Sequence, residues 1–130
     1  MAREDVRNPA GDWQHGGSPE DVRVLYERHV AAVAADDVDA IVAGYGQDAV
    51  LIGPAGGGRG SEFVRSVFAA AGGILDDLQP ETTVDVVGDV VLAVWHSGRG
   101  ADRDVSGCDT FVFDDGLIVA HTSAQAHTRT

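Results

Sequence analysis

Residues 26–52 have the sequence YERHVAAVAADDVDAIVAGYGQDAVLI. Apolar residues recur at three- and four-residue intervals up to about Ala35, which predicts an amphipathic helix. Asp36-Asp37 then starts a second, short helix, which the glycines of Gly44–Gly46 end. Ala49–Ile52 is a continuous apolar run, which predicts a short buried strand. The segment therefore predicts two helices followed by the first strand of a sheet.

The sequence on both sides of this segment extends the pattern. Ser18-Pro19, followed by two acidic residues, is typical of a helix start. Gly53–Gly60 predicts a flexible connection, and Ser61 is expected to cap a third helix that ends at Gly72-Gly73. The rest predicts a β-meander with strands at 82–87, 90–96, 105–113 and 117–125. Helices collected on one face of an antiparallel sheet give an α+β fold.

The length of 130 residues suits one domain, which we predict over residues 18–127, after a flexible arm of residues 1–17. No apolar run approaches the roughly 18–20 residues that a membrane span needs. The polar N-terminal stretch has the features of neither a signal peptide nor a transit peptide. We therefore expect a cytoplasmic protein that does not associate with membranes.

The charge of the chain excludes several classes of function. The net charge is −12, and all nine basic residues are arginine. Such an acidic chain repels phosphate backbones, so nucleic acid is not an expected partner. The absence of lysine excludes Schiff-base chemistry and a phosphate-binding loop of the Gly-Lys-Ser/Thr type. Cys108 is the only cysteine, so no internal disulfide can form.

Several segments together resemble a known family. Residues 26–45 with Asp48-Ala49-Val50, then Arg59-Gly60, and finally 109–119 with the turn Asp114-Asp115-Gly116, resemble the SnoaL-like polyketide cyclases and the ketosteroid isomerases. Both belong to the nuclear-transport-factor-2-like superfamily. The resemblance covers residues 20–125 and implies a cone, in which a strongly bent antiparallel sheet wraps around the long first helix and encloses an apolar pocket. Many functions occur on this fold, so the resemblance does not specify the reaction.

Asp109 is the leading catalytic candidate. Strand alternation places it on the same face as Phe111 and Phe113. A carboxyl group in such apolar surroundings is expected to have a raised pKa, which suits an acid or base near neutral pH. The resemblance implies the same position, because the matching aspartic acid of ketosteroid isomerases stays protonated and donates a hydrogen bond to an oxyanion. The alternative is a rim aspartate bonded to the backbone.

Two histidines are the other catalytic candidates. His29 lies within the apolar stripe of the first helix and, by resemblance, matches the catalytic tyrosine of the isomerases. His121 depends on the register of the last hairpin. A three-residue turn pairs Phe113 with Leu117 and places His121 directly opposite Asp109. A two-residue turn would move His121 to the other face. For both histidines the alternative is a structural role.

The predicted substrate contacts surround these candidates. Ser123 and Gln125 share the side of His121 in the three-residue-turn register. Aromatic and polar residues expected at the pocket complete the set, namely Tyr45, Phe68, His96 and Phe111. The histidines lack the spacing typical of metal ligands, so no metal and no cofactor are expected.

One position departs from the family pattern. Ala49–Pro54 matches the segment in which ketosteroid isomerases carry a general-base aspartate, and here that position is Gly53. Since the tyrosine is also replaced, only one of three catalytic positions is retained. Chemistry would then depend on Asp109 with His29 or His121.

Two functions are therefore compatible with the sequence. The first is a cofactor-independent isomerase, cyclase or dehydratase that moves a proton on a small apolar carbonyl or polyketide-like molecule. The second is a non-catalytic module that binds a lipophilic ligand or mediates association. In both cases we expect a homodimer, because helices inside the cone cannot cover the apolar outer face of the sheet.

Overall fold

The computed structural model of the protein describes residues 19–71, 81–97 and 104–128. These residues form three helices, α1 (Pro19–Ala34), α2 (Val38–Ala43) and α3 (Ser61–Ala70). They also form six strands, β1 (Tyr45–Gly53), β2 (Gly56–Arg59), β3 (Glu81–Val87), β4 (Val90–Ser97), β5 (Asp104–Asp114) and β6 (Leu117–Thr128). The predicted arm of residues 1–17, the Ser18 cap and the Gly72-Gly73 helix end lie outside the described residues.

The strands form one curved, unclosed sheet with the order β2-β1-β6-β5-β4-β3. The predicted α+β cone is therefore confirmed. The sheet is mixed rather than purely antiparallel, because β1 pairs with β6 in parallel, with Leu51 beside His121. A parallel pair needs a long connection, and α3 with the β3–β5 meander supplies it.

The glycine-rich segment is a hairpin arm rather than a simple flexible connection, so that prediction was wrong. Residues Gly56–Arg59 pair with the end of β1, and Gly58 lies opposite Leu51. A Cβ on Gly58 would lie 2.6 Å from the ring of Phe63, so the absence of a side chain lets that ring pack on the strand. The predicted Ser61 cap was also wrong: Gly60 occupies the cap position of α3 and no side-chain hydrogen bond caps it.

The core lies between the helices and the concave face of the sheet. Tyr26 of α1 packs edge-on against Phe111 of β5, with ring centroids 5.4 Å apart. All three helices and the sheet contribute other buried apolar side chains, which include Val22, Ile41, Val64, Val91 and Ile118. Within the described residues, no helix combines the length and the apolar character that crossing a membrane requires.

The opposite face of the sheet carries exposed apolar side chains, and none of the described helices lies over them. Leu92, Val94 and Ile52 are 37%, 48% and 50% exposed. The strand register places Leu92 beside Thr110, and Thr110 in turn beside Thr122, which pairs with Ile52. These residues therefore form a continuous outer surface across four strands.

The last hairpin combines a tight turn with a bulge. Asp114 pairs with Leu117, so the turn has two residues, Asp115 and Gly116, both with positive φ of 53° and 82°. Phe113 pairs with Ile118, but the preceding residue Val112 pairs with Ala120. Val119 is therefore an extra, bulged residue in β6.

The bulge restores the face that the two-residue turn would have reversed. After it, Phe111 pairs with His121 and Asp109 pairs with Ser123. Neither of the two registers that the sequence left open is therefore observed: the turn has two residues, yet His121 stays on the face of Asp109, opposite Phe111. Asp109 and His121 are diagonal neighbours on the same face, which is still within reach of long side chains.

Candidate functional site

A cavity of about 510 Å³ lies between α1, α3 and the concave face of the sheet. Most of its wall is apolar, from Leu51, Phe63, Val67, Phe68 and Phe111 among others. Gly53 and the turn after it form part of the wall without a charged group. The polar side chains on the wall include His29, Asp109, His121, Ser123 and Gln125. A small polar group inside an apolar cavity is typical of a small-molecule site.

Asp109 is held by donors from neighbouring strands, and its side chain is only 25% exposed. Burial raises the pKa of this carboxyl, but the stabilisation of its ionised form by His121, Ser123 and Trp95 outweighs the effect of burial. The pKa of Asp109 is therefore lowered, and the prediction of a raised pKa was wrong. At neutral pH Asp109 is an ionised carboxylate and an acceptor, not a protonated donor.

His121 is buried between a tyrosine and the carboxylate. Its Nδ1 atom lies 2.8 Å from the hydroxyl oxygen of Tyr45, and its Nε2 atom lies 3.6 Å from Oδ2 of Asp109. Its ring stacks on Phe111 with centroids 4.0 Å apart. Neighbours on both sides thus fix the orientation of the imidazole.

His29 projects from α1 into an aromatic surrounding. Its ring meets Phe111 edge-on at 5.1 Å, Tyr45 at 5.6 Å and His121 at 6.0 Å. Burial and the charge of His121 lower the pKa of His29 to about 3, against the opposing effect of Asp109. His29 is therefore a neutral imidazole at physiological pH.

Three buried polar atoms on the cavity wall have no hydrogen-bond partner: Nδ1 of His29, Oδ1 of Asp109 and Nε2 of His121. Unpaired buried polar atoms are costly, and their clustering commonly marks a place for water or a ligand. The three candidates from the sequence therefore meet at one cavity.

Of the predicted substrate contacts, four line the cavity and two do not. Phe68, Phe111, Ser123 and Gln125 line the cavity. Tyr45 lies behind His121 and supports it instead of lining the cavity. His96 is exposed and lies on the opposite face of β4 from Trp95, so direct contact with a ligand in the cavity is not supported.

The sequence interpretation missed one functional contact. Trp95 was not singled out as a functional residue, whereas its indole lies on the cavity wall and helps to lower the pKa of the Asp109 carboxyl. The available signal was the alternation of β4, which puts Ala93 and Trp95 on the cavity side. Among the described residues, no group of three or more histidine, cysteine or acidic side chains is arranged to hold a metal ion.

The comparisons with known proteins agree with this architecture. The family model for the SnoaL-like domain matches residues 26–121. No curated protein matches the chain in sequence. Since the family model covers most of the chain, this protein belongs to the SnoaL-like domain family.

Three solved structures illustrate how widely the fold is used. A candidate ketosteroid isomerase from Kribbella flavida DSM 17836 is similar with a TM-score of 0.70 at 15% identity, over 85% of this chain and 82% of that one. An NTF-2-like protein of unknown function from Burkholderia xenovorans LB400 has a TM-score of 0.65 at 21% identity, over 85% of each chain. An LEH-like epoxide hydrolase from M. tuberculosis has a TM-score of 0.63 at 19% identity, over 82% of this chain and 84% of that one. At these identities the likeness shows the fold alone.

Proposed function

We propose that this protein is a cofactor-independent acid–base enzyme that moves a proton on a small apolar carbonyl or polyketide-like molecule. The observation that carries the proposal is the convergence of three unpartnered polar atoms, from His29, Asp109 and His121, on one apolar cavity. The family membership supports a small-molecule role of the isomerase or binding type.

In the proposed mechanism Asp109 is the general base. Its carboxylate takes a proton from the carbon next to the substrate carbonyl, and the electrons of that C–H bond form an enolate. His121 supports the step with a hydrogen bond from its Nε2–H group to the enolate oxygen. The new carboxylic acid then returns its proton, either to another carbon, which is isomerisation, or to a departing hydroxyl group, which leaves as water.

The lowered pKa of Asp109 restricts the substrate. A carboxylate is a weaker base when its pKa falls, and each unit adds up to about 1.4 kcal/mol to the cost of taking a proton. An ordinary ketone is therefore a poor match. A molecule whose C–H is acidified by a second carbonyl or by an aromatic ring, as in polyketide-like compounds, fits better.

The proposal can be tested without knowing the natural substrate. Enzymes that form an enolate exchange the α-hydrogen for deuterium in heavy water, which NMR follows directly. We expect exchange on 2-tetralone, whose C–H is activated by the ring, to be faster than on 1-tetralone. Asp109→Asn should reduce exchange by about 10²- to 10⁴-fold with the fold retained. His96→Ala, outside the cavity, is the matched control. Unchanged exchange in folded Asp109→Asn would exclude Asp109 as the base.

A second candidate is a binding module for a lipophilic ligand. Gly53 favours it, because the cavity wall has no carboxylate at this position. In this case the tetralones would bind, with saturable changes in protein NMR signals, while wild type would not accelerate exchange.

A further inference from the structure

The indole of Trp95 lies directly over the backbone of Gly107. The two residues are paired across β4 and β5. A Cβ placed on Gly107 would lie 2.5 Å from Cζ2 and 2.8 Å from Cε2 of Trp95. Carbon atoms do not approach so closely without contact strain, so only glycine allows the ring this position.

The same position brings the indole to the carboxylate. Asp109 lies two residues beyond Gly107 on β5, and therefore on the same face of the sheet. Since Trp95 is paired with Gly107, its side chain is a diagonal neighbour of Asp109, and both side chains form part of the cavity wall. The indole N–H faces the carboxylate as a donor and contributes to lowering its pKa. Indole N–H is a donor only, so the hydrogen bond needs Asp109 as the acceptor.

We propose that Gly107 and Trp95 act as one positioning unit for Asp109: the glycine leaves the space in which the indole lies, and the indole N–H fixes the carboxylate at the cavity. Ser123 donates from the paired position on β6, so the carboxylate has donors from both neighbouring strands. Its Oδ1 atom is left unpartnered and able to accept from a ligand. The inference deepens the proposed function, because it explains how the proposed base is held.

The pKa of the Asp109 carboxyl reports whether Trp95 interacts with it, and it can be measured without any substrate. The ¹³C signal of the Asp109 carboxyl can be followed against pH and assigned by its absence in Asp109→Asn. In Trp95→Phe the ring remains but the donor is lost, so the ionised form loses a hydrogen bond. We expect the titration midpoint to rise by about half a unit to one unit. An unchanged midpoint in folded Trp95→Phe would overturn the proposal.

A double-mutant cycle tests the role of the glycine. Gly107→Ala should raise the midpoint when Trp95 is present, because the methyl group displaces the indole, and should have little effect in the Trp95→Phe background. The Cβ would also lie 2.6 Å from the Ala124 carbonyl oxygen, so loss of stability is expected in both backgrounds. If Gly107→Ala shifted the titration midpoint equally with Trp95 and with Trp95→Phe, the proposal that the two residues act together would be refuted.

Gly46→Ala is the matched control. Gly46 is also a strand glycine, but its Cβ would meet only ordinary contacts at 3.6 Å and 3.8 Å. The midpoint should stay at the wild-type value. The result does not depend on turnover, so absent deuterium exchange would refute the proposed function and leave the positioning unit standing.

Discussion

The hydroxyl oxygen of Tyr45 lies 2.8 Å from Nδ1 of His121, so this buried contact holds one nitrogen of the imidazole while the other faces the cavity. Nε2 faces the ionised carboxylate of Asp109 at 3.6 Å. A lone pair there would be repelled, so in its neutral form the ring carries hydrogen on Nε2 and accepts a hydrogen bond from the Tyr45 hydroxyl at Nδ1. Burial, followed by the charge of Asp109, raises the pKa of Tyr45, so its hydroxyl remains a donor.

Tyr45→Phe should destabilise the protein without changing the tautomer of His121, because Nε2 still faces the Asp109 carboxylate. Removal of the hydroxyl leaves a buried Nδ1 without a partner, at a cost of about 1–3 kcal/mol in the free energy of unfolding. ¹⁵N NMR of the neutral ring should show the same single tautomer in wild type and in the variant. Tyr26→Phe is the control for stability, because Tyr26 is also buried but touches Phe111 instead of His121. A mixture of the two tautomers in Tyr45→Phe would contradict this assignment.

The proposed enzyme activity should persist in mild acid. The pKa of Asp109 is lowered, so the carboxylate stays ionised as the pH falls from 7 to about 5. Deuterium exchange catalysed by wild type should be almost constant over this range and fall only below the usual titration range of aspartate. Trp95→Phe should lose activity at a higher pH than wild type does. A wild-type rate that already halves near pH 6 would indicate that another group controls the reaction.

His29 should make the fold less stable in acid. Its pKa is about 3 in the folded protein and about 6.5 when exposed. Between these values the unfolded chain binds a proton that the folded protein does not, so the free energy of unfolding falls as the pH falls. The slope from this residue is at most about 1.4 kcal/mol per pH unit.

Urea unfolding at several pH values between 7 and 4 measures this effect. His29→Leu should lose stability less steeply with falling pH than wild type does. His96→Leu, which removes an exposed histidine outside the cavity, is the matched control. Parallel curves for wild type and His29→Leu would show that His29 is not buried in its neutral form.

The exposed apolar side chains on the outer face of the sheet lead us to expect a homodimer. Leu92, Val94 and Ile52 lie there with threonines between them, and exposed apolar surfaces commonly mark interfaces. Light scattering at micromolar concentration should give twice the 13.5 kDa chain mass. Val94→Glu should give a monomer, whereas Val24→Glu, on the exposed side of α1, should not. A monomeric wild type would contradict the expectation.

The sequence was sufficient for the three helices and five of the six strands, because these follow from local periodicity. Strand β2 was not predicted because its glycines have a low strand propensity. In the structure, pairing with β1 outweighs this low propensity. The parallel β1–β6 contact is non-local and has no local pattern. The pKa of Asp109 was predicted in the wrong direction, because its donors, Ser123 and Trp95, come from two other strands.

Because of the bulge at Val119, the number of residues in the last hairpin decides which side chains of β6 face the cavity. A single inserted or deleted residue between Phe111 and His121 would carry the histidine and every second residue after it to the outer surface. Insertion or deletion of two residues, or one change in the turn offset by one in the bulge, would keep these side chains on the cavity face. Related genes can therefore vary the length of this hairpin only in even or compensated steps, whatever residues they place there.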